Sequence, residues 1–305
     1  VDKMVYINFN MMLADTIAWC RTMKNDFDVV VAIPRSGVAI AGIIATKYDK
    51  PLSTVDMFLD EKKCWIHDRK STNQNFVPPN PDSYKRILLV DDTASTPPPD
   101  GTMFKNYAKL KAKYSDLEII KAPLYVMFHV DLYVDRYYKI IDMPPHRFEW
   151  NMLHAPLWNI ALAVDMDGVL CKNCPVDDND EVAYINWMIN AEPYLIPHYK
   201  INWIITCRIE KYRKITEEWL KKHGVEYDEL IMEQAPDNTS REDPILFKSR
   251  ILSGLPVLPN TQWIHYWESD WIYAEPLAQM LINFNIFIIC TQNMKGLGET
   301  QWEHL

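Results

Sequence analysis

Ala163-Val164-Asp165-Met166-Asp167-Gly168-Val169-Leu170 carries an apolar run straight into two carboxylates. The residues before it, Ala161-Leu162-Ala163-Val164, show no polar alternation, which is the mark of a strand covered on both faces in a parallel sheet. With one residue between them, Asp165 and Asp167 leave the strand end on a similar side. Close carboxylates without a cation are electrostatically costly, so the pair predicts Mg²⁺ as a cofactor. One carboxylate can attack phosphorus to give an aspartyl phosphate. The other can hand a proton to the leaving oxygen.

The same pattern recurs outward along the chain. Strand-length apolar runs lie at 28–33, 52–55, 86–90, 124–128, 202–205, 263–267 and 286–290, with helical patterns at 38–48, 104–114, 181–190 and 210–223. Strand–helix alternation predicts the α/β class with parallel sheets. Pro144, Pro145 and Pro156 break the chain around Phe148-Glu149-Trp150, so the reading is two Rossmann-like parallel-sheet domains in tandem, 1–148 and 149–305. In such sheets ligands sit at the carboxyl ends of strands, and both halves put charged residues there.

The second half resembles the haloacid dehalogenase superfamily through an ordered series of motifs. Asp165-Met166-Asp167-Gly168-Val169 fits its first signature and Thr206-Cys207-Arg208, after an apolar strand, its second. Phe247-Lys248 fits the third, and Trp267-Glu268-Ser269-Asp270 the acidic fourth. The resemblance implies Asp165 as nucleophile, Asp167 as general acid and base, and Thr206 and Lys248 as phosphoryl ligands. It implies a Mg²⁺ site from Asp165 and Asp167 with Glu268 or Asp270, the choice between these two being open. The segments between the motifs are too short for a cap domain, so water exclusion must come from elsewhere. Cys171 and Cys174 have metal-ligand spacing, but with no second Cys/His pair they read as thiols lining the loop.

In the first half, Ile87-Leu88-Leu89-Val90-Asp91-Asp92-Thr93-Ala94-Ser95-Thr96 is an apolar strand ending in two acids and a hydroxyl-rich loop. Adjacent acids suit ribose hydroxyls, and a loop of hydroxyls and amides suits a phosphate. This resembles the PRPP signature of type I phosphoribosyltransferases. Ala32-Ile33-Pro34-Arg35-Ser36-Gly37 resembles the family's pyrophosphate loop, which opens a helix. The phosphate-binding set implied is Arg35, Ser36, Gly37, Asp91, Asp92, Thr93, Ser95, Thr96, Gly101 and Thr102. The departure is Pro97-Pro98-Pro99-Asp100, standing where the family runs into glycines. Proline donates no amide hydrogen bond. The polar stretch 62–82, with Arg69 and Lys70, falls where the family has a loop that closes over PRPP. Aromatics from Phe128 to Trp150 could stack a base or simply pack.

Composition narrows the class. A net charge of −9 over 305 residues argues against nucleic-acid partners, which need clustered cations, and against a basic membrane-surface protein. Gly is scarce at 8 residues, against an average of ~7 %. The uncharged stretch 276–294 reads as a helix end and a strand rather than a membrane span. Six cysteines in a chain this long do not make a disulfide framework, which points to the cytoplasm. The expectation is a bifunctional enzyme of nucleotide metabolism. PRPP and a nucleobase or nucleotide would be its partners, and Mg²⁺-dependent phosphomonoester hydrolysis its second step. The alternative is a phosphatase gated by a catalytically inactive PRPP-sensing domain. Self-association into a homo-oligomer is compatible with this composition.

Overall fold

The computed structural model describes residues 5–65, 80–141, 146–156, 159–176, 179–292 and 294–297. The chain divides into two compact α/β units, one formed by Phe9–Pro144 and the other by Val1–Asn8 with Pro145–Leu305. The expected boundary at 148/149 is therefore displaced. β1 (Val5–Ile7) pairs in parallel with β7 (His146–Phe148), and Tyr6 packs in one core cluster with Met152, Leu162 and Trp267. This long-range ladder joins Val5–Ile7 to the second unit.

In the unit Phe9–Pro144, α1 (Phe9–Thr22) precedes β2 (Val29–Ala32), α2 (Gly37–Tyr48), β3 (Leu52–Thr54) and α3 (Val55–Leu59). β4 (Arg86–Ala94), α4 (Thr102–Lys113), β5 (Glu118–Met127) and β6 (Lys139–Ile141) follow. The sheet order is β3-β2-β4-β5-β6, and every pairing is parallel. Residues of β2 and β4 are buried on both faces, which explains their β-branched, non-alternating sequence. Val55, expected in a strand, starts α3 because the Thr54 hydroxyl accepts from the Met57 amide and caps the helix. β4 runs four residues past its expected end. Its ladder with β5 continues through Thr93↔Tyr125 and Ala94↔Val126, so Asp91 and Asp92 lie inside the strand. β5 likewise begins at Glu118 rather than at 124, held by β4 from Arg86↔Glu118 onward. Arg69 and Lys70 lie outside the described residues.

The other unit adds β8 (Ile160–Val164), α5 (Glu181–Asn190), β9 (Ile201–Ile209), α6 (Arg213–Lys222) and β10 (Tyr227–Glu233). It continues with α7 (Pro244–Ser253), β11 (Trp263–Glu268), α8 (Trp271–Met280), β12 (Ile286–Cys290) and β13 (Lys295–Leu297). The sheet order is β10-β9-β8-β11-β12-β13. All pairings are parallel except β12 with β13. β8 stands mid-sheet, between β9 and β11, so its end meets theirs. The expected helix at 210–223 divides into a 3₁₀ turn, Glu210–Tyr212, and α6. The stretch 276–290 holds the end of α8, its connection to β12 and β12 itself; Pro276 sits within α8. No helix among the described residues is long and apolar enough to cross a membrane.

Candidate active site

Charged groups converge at the carboxyl end of β8. Asp165 follows the strand, and its amide donates to Trp267 O at 2.9 Å, tying it to β11. One carboxylate oxygen accepts from the Met166 amide at 2.7 Å. The other accepts from Lys248 Nζ at 2.7 Å. Lys248 lies on the inner face of α7, whose start is set by Pro244 and by Asp243, which accepts from the amides of Ile245 and Leu246. The same Nζ donates to Glu268 Oε2 at 2.7 Å. Glu268, the last residue of β11, is fully buried. Its other oxygen accepts from the Ser269 amide and hydroxyl.

The electrostatics of the three groups differ. Burial opposes charge on Lys248, but Asp165 and Glu268 outweigh it and hold the ammonium well above its usual range. Burial opposes charge on Glu268 as well, yet Lys248 and the Ser269 amide keep its carboxyl below the usual value. Asp165 is pushed up to about 8 by burial, against the pull of Lys248 and with repulsion from Glu268 and Asp167. Negative charge at Asp165 is thus under-compensated.

Asp167 makes a separate contact. Arg208 donates to its two oxygens at 3.0 Å through Nε and 2.6 Å through Nη2. Arg208 is 1 % exposed, lies 5.1 Å over the Trp187 ring and also donates to the Thr216 hydroxyl. The motif resemblance includes Arg208 but assigns it no role. Its signal was present: β9 carries a cation at its carboxyl end, where a buried charge requires a partner. The Cys171 thiol donates to Asp167 Oδ1 at 3.3 Å, which places it against the acid. Thr206 is buried, and its hydroxyl accepts from the Arg208 amide at 3.2 Å. Gly168 is obligatory at this turn: its φ is +79°, and a Cβ would fall 2.3 Å from Asn173 Oδ1 and 2.4 Å from Ser269 Cβ.

Asp270 is not drawn into the cluster. Its carboxylate accepts from the Ile272 amide and caps α8. Of the two acids left open by the motif, Glu268 is the one beside Lys248. Among the described residues no three His, Cys, Asp or Glu side chains are arranged as a metal cage. Mg²⁺ does not require one, since it usually takes one or two carboxylates and completes its shell with water and phosphate. Asp165 and Glu268 are hard oxygen donors of the kind Mg²⁺ takes. Asp165 Oδ2 and Glu268 Oε2 both accept from Lys248 Nζ, so Asp165 Oδ1 and Glu268 Oε1, each bonded to a backbone amide, are the oxygens that could offer it a lone pair.

In the other unit the acids of β4 and the loop before α2 come together. A Cβ on Gly37 would lie 2.8 Å from Val90 O and 3.0 Å from Asp91 Cα. Only glycine allows α2 to start this close to the strand. Asp91 and Asp92 are buried. Asp91 Oδ1 accepts from the Asp92 amide, and burial, with Asp92 beside it, raises its carboxyl well above the usual range. Arg35, Ser95, Thr96 and Thr102 are exposed, Ser36 and Thr93 partly so, and the buried Thr93 hydroxyl oxygen makes no hydrogen bond among the described residues. The loop from Thr96 to Gly101 closes on itself. The Gly101 amide donates to Pro97 O at 3.2 Å, and a Cβ on Gly101 would meet Thr96 O at 2.1 Å. With three prolines and this internal bond, few amides of the loop are left to face a phosphate.

No family model and no curated protein matches the chain. Among solved structures, the Helicobacter pylori xanthine-guanine-hypoxanthine phosphoribosyltransferase aligns at 15 % identity and TM-score 0.35, covering 49 % of this chain and 94 % of that one. A purine phosphoribosyltransferase from Pyrococcus horikoshii aligns at 17 % identity and TM-score 0.34, with the same coverages. A chain of a Pnkp1/Rnl/Hen1 complex aligns at 12 % identity and TM-score 0.29, covering 88 % of this chain and 98 % of that one.

Proposed function

We propose that the unit containing β8 is a phosphomonoester hydrolase and that the unit containing β4 binds PRPP and transfers its ribose phosphate to a nucleobase. The observation that carries the first half is the buried Asp165–Lys248–Glu268 cluster at the adjoining ends of β8 and β11. Asp165 attacks the phosphorus of a bound ester, and Asp167, protonated on one oxygen that exchanges its bond from Arg208 for one to the substrate, gives that proton to the leaving oxygen. Asp167 then takes a proton from water, which attacks the aspartyl phosphate, frees phosphate and restores Asp165. Lys248 offsets charge on the nucleophile and the phosphoryl group, the Thr206 hydroxyl orients a phosphoryl oxygen, and Arg208 fixes the direction of Asp167. Asp165 and Glu268 would hold Mg²⁺, which supplies further charge neutralisation at the phosphoryl oxygens.

In the other unit, Asp91 and Asp92 bind the ribose hydroxyls, and the amides of Ser36 and Gly37 receive the pyrophosphate. The Pro97–Pro99 loop favours a second reading, in which this unit binds PRPP or a nucleotide and regulates the hydrolase without transfer. ³¹P NMR of Asp165→Asn protein with Mg²⁺, PRPP and a pool of nucleobases separates them. Pyrophosphate released with one base supports the transferase, while PRPP binding without turnover supports the sensor. If wild-type protein and Asp165→Asn release phosphate from nucleotides at equal rates, the hydrolase assignment is wrong.

A further inference from the structure

A cavity of about 630 Å³ lies along α4, beside the loop that leaves β4. Clefts of about 300–1,000 Å³ are the size that takes small molecules. Pro98 and Pro99 line it with rings whose φ is fixed. Phe104 and Tyr133 line it too; their rings meet edge to face with centroids 6.3 Å apart, and Tyr133 is left 48 % exposed. Ala108, one helical turn after Phe104, presents a side chain too small to fill the space. Lys121 is fixed at the cavity, with Nζ 5.0 Å over the Tyr107 ring and 3.1 Å from the Asp135 carboxylate. Two further cations line it without a counter-charge. Lys105 and Lys109 are exposed and make no ion pair among the described residues. They stand one turn apart on α4, where like charges repel. Lys105 also lies in the first turn, where the helix dipole disfavours a cation. The lysines at the other end of α4 are engaged: Lys111 donates to Ser115 O and Leu117 O, and Lys113 to Leu59 O. Among the described residues no acidic side chain lines the cavity.

We propose that this cavity binds a free nucleoside monophosphate, at a site separate from the β8 cluster and from the β4 acids, none of which lines it. Charge selects the anion. A phosphomonoester carries about −1.5 to −2 at pH 7, which matches the two uncompensated ammonium groups of Lys105 and Lys109; Lys121 is already offset by Asp135. Shape selects the rest. A planar base packs on the exposed Tyr133 ring and the proline faces, which offer flat apolar surface and no fixed hydrogen-bond code. Two cations in one cavity, on a chain of net charge −9, give no track for a nucleic-acid backbone, so the occupant is a single nucleotide. The triple proline, which leaves its loop few amides for a phosphate, thus builds the wall of another site. That site stands whether or not the β4 acids bind PRPP.

The test is titration calorimetry of the full chain with AMP and with GMP, in EDTA so that Mg²⁺-dependent hydrolysis stays off. Orthophosphate, adenosine and a short oligoadenylate are titrated in parallel. Two variants read the cavity itself: Lys105→Gln with Lys109→Gln removes the charge, and Ala108→Trp keeps the charge and fills the space. All three side chains are exposed, so both variants should keep the wild-type circular dichroism and melting midpoint. The expected result is an equivalent of nucleotide in the wild type that weakens at least tenfold in the lysine variant and is lost in Ala108→Trp. Orthophosphate and adenosine should each bind that equivalent at least tenfold more weakly than AMP, and rising salt should weaken AMP. Folded variants that bind AMP and GMP with wild-type affinity and stoichiometry overturn the proposal, as does a wild type that binds neither. Orthophosphate binding as tightly as AMP reduces the site to one for a simple anion and overturns it. Oligoadenylate binding far more tightly than AMP, and lost with the same variants, overturns it in favour of a nucleic-acid strand.

Discussion

Replacing Lys248 by Met tests the central cluster most directly. Methionine has a similar length and packs well, so the change removes one buried charge and little volume. The Lys248 and Glu268 side chains are 4 % and 0 % exposed and joined at 2.7 Å, and Asp165 at 2.7 Å is 8 % exposed. Removing the shared cation leaves two buried carboxylates facing each other. Breaking a buried ion pair from one side costs about 3–5 kcal/mol. For a unit of this size each kcal/mol moves the midpoint by roughly 2–4 °C, so its melting temperature should fall by roughly 6–20 °C. The assay is thermal and urea denaturation followed by circular dichroism, with Lys211→Met as a control. Lys211 pairs with Glu181 on the surface, each about half exposed, and its loss should leave the midpoint unchanged. Adding Glu268→Gln to Lys248→Met should recover part of the loss, because one carboxylate alone can stay neutral. A Lys248→Met protein within about 1 kcal/mol of wild type would refute the buried Asp165–Lys248–Glu268 cluster.

Four further outcomes are expected. Gly168→Ala, at φ +79° and with its Cβ 2.3 Å from Asn173 Oδ1, should lose at least about 2 kcal/mol in urea unfolding. Gly37→Ala should destabilise the other unit by roughly 1–3 kcal/mol, because its Cβ would meet Val90 O at 2.8 Å, and should weaken PRPP binding by calorimetry. Arg208→Lys keeps the charge but not the two-oxygen grip on Asp167, so kcat for phosphate release should fall roughly 10²-fold with KM little changed. Burial and the nearby Arg147 hold His265 well below the usual histidine range. The unfolded chain then takes up a proton below about pH 6.5 that the folded chain refuses, so stability falls progressively on acidification below that pH. His265→Phe should abolish that component in pH-dependent unfolding.

Much of the fold was legible in the sequence because buried parallel strands read as unbroken β-branched runs, as in Val29–Ala32 and Ile160–Val164. The position of Asp165 just past a strand followed from the same pattern, whereas Lys248 was marked only by the motif resemblance, and Asp91, expected at a strand end, lies inside β4. Strand ends did not follow from it. Where β4 stops depends on how far β5 runs beside it, and no local signal at Asp91 reports that. The partner of β1 lies some 140 residues away at His146–Phe148, so the displacement of the unit boundary could not be read locally.

The amino-acid sequence by itself determined the α/β class, the alternation of strands and helices, and the stock of acids and cations set at strand ends. Only the tertiary structure decided which of them meet. Glu268 ends β11 and turns to Lys248, whereas Asp270, two residues on, is already the cap of α8. Arg208 reaches Asp167 only because β9 lies directly beside β8 in the sheet. Both outcomes depend on strand order and on where each strand gives way to its helix. Those are set by packing between segments far apart in the chain, and no window of sequence contains them.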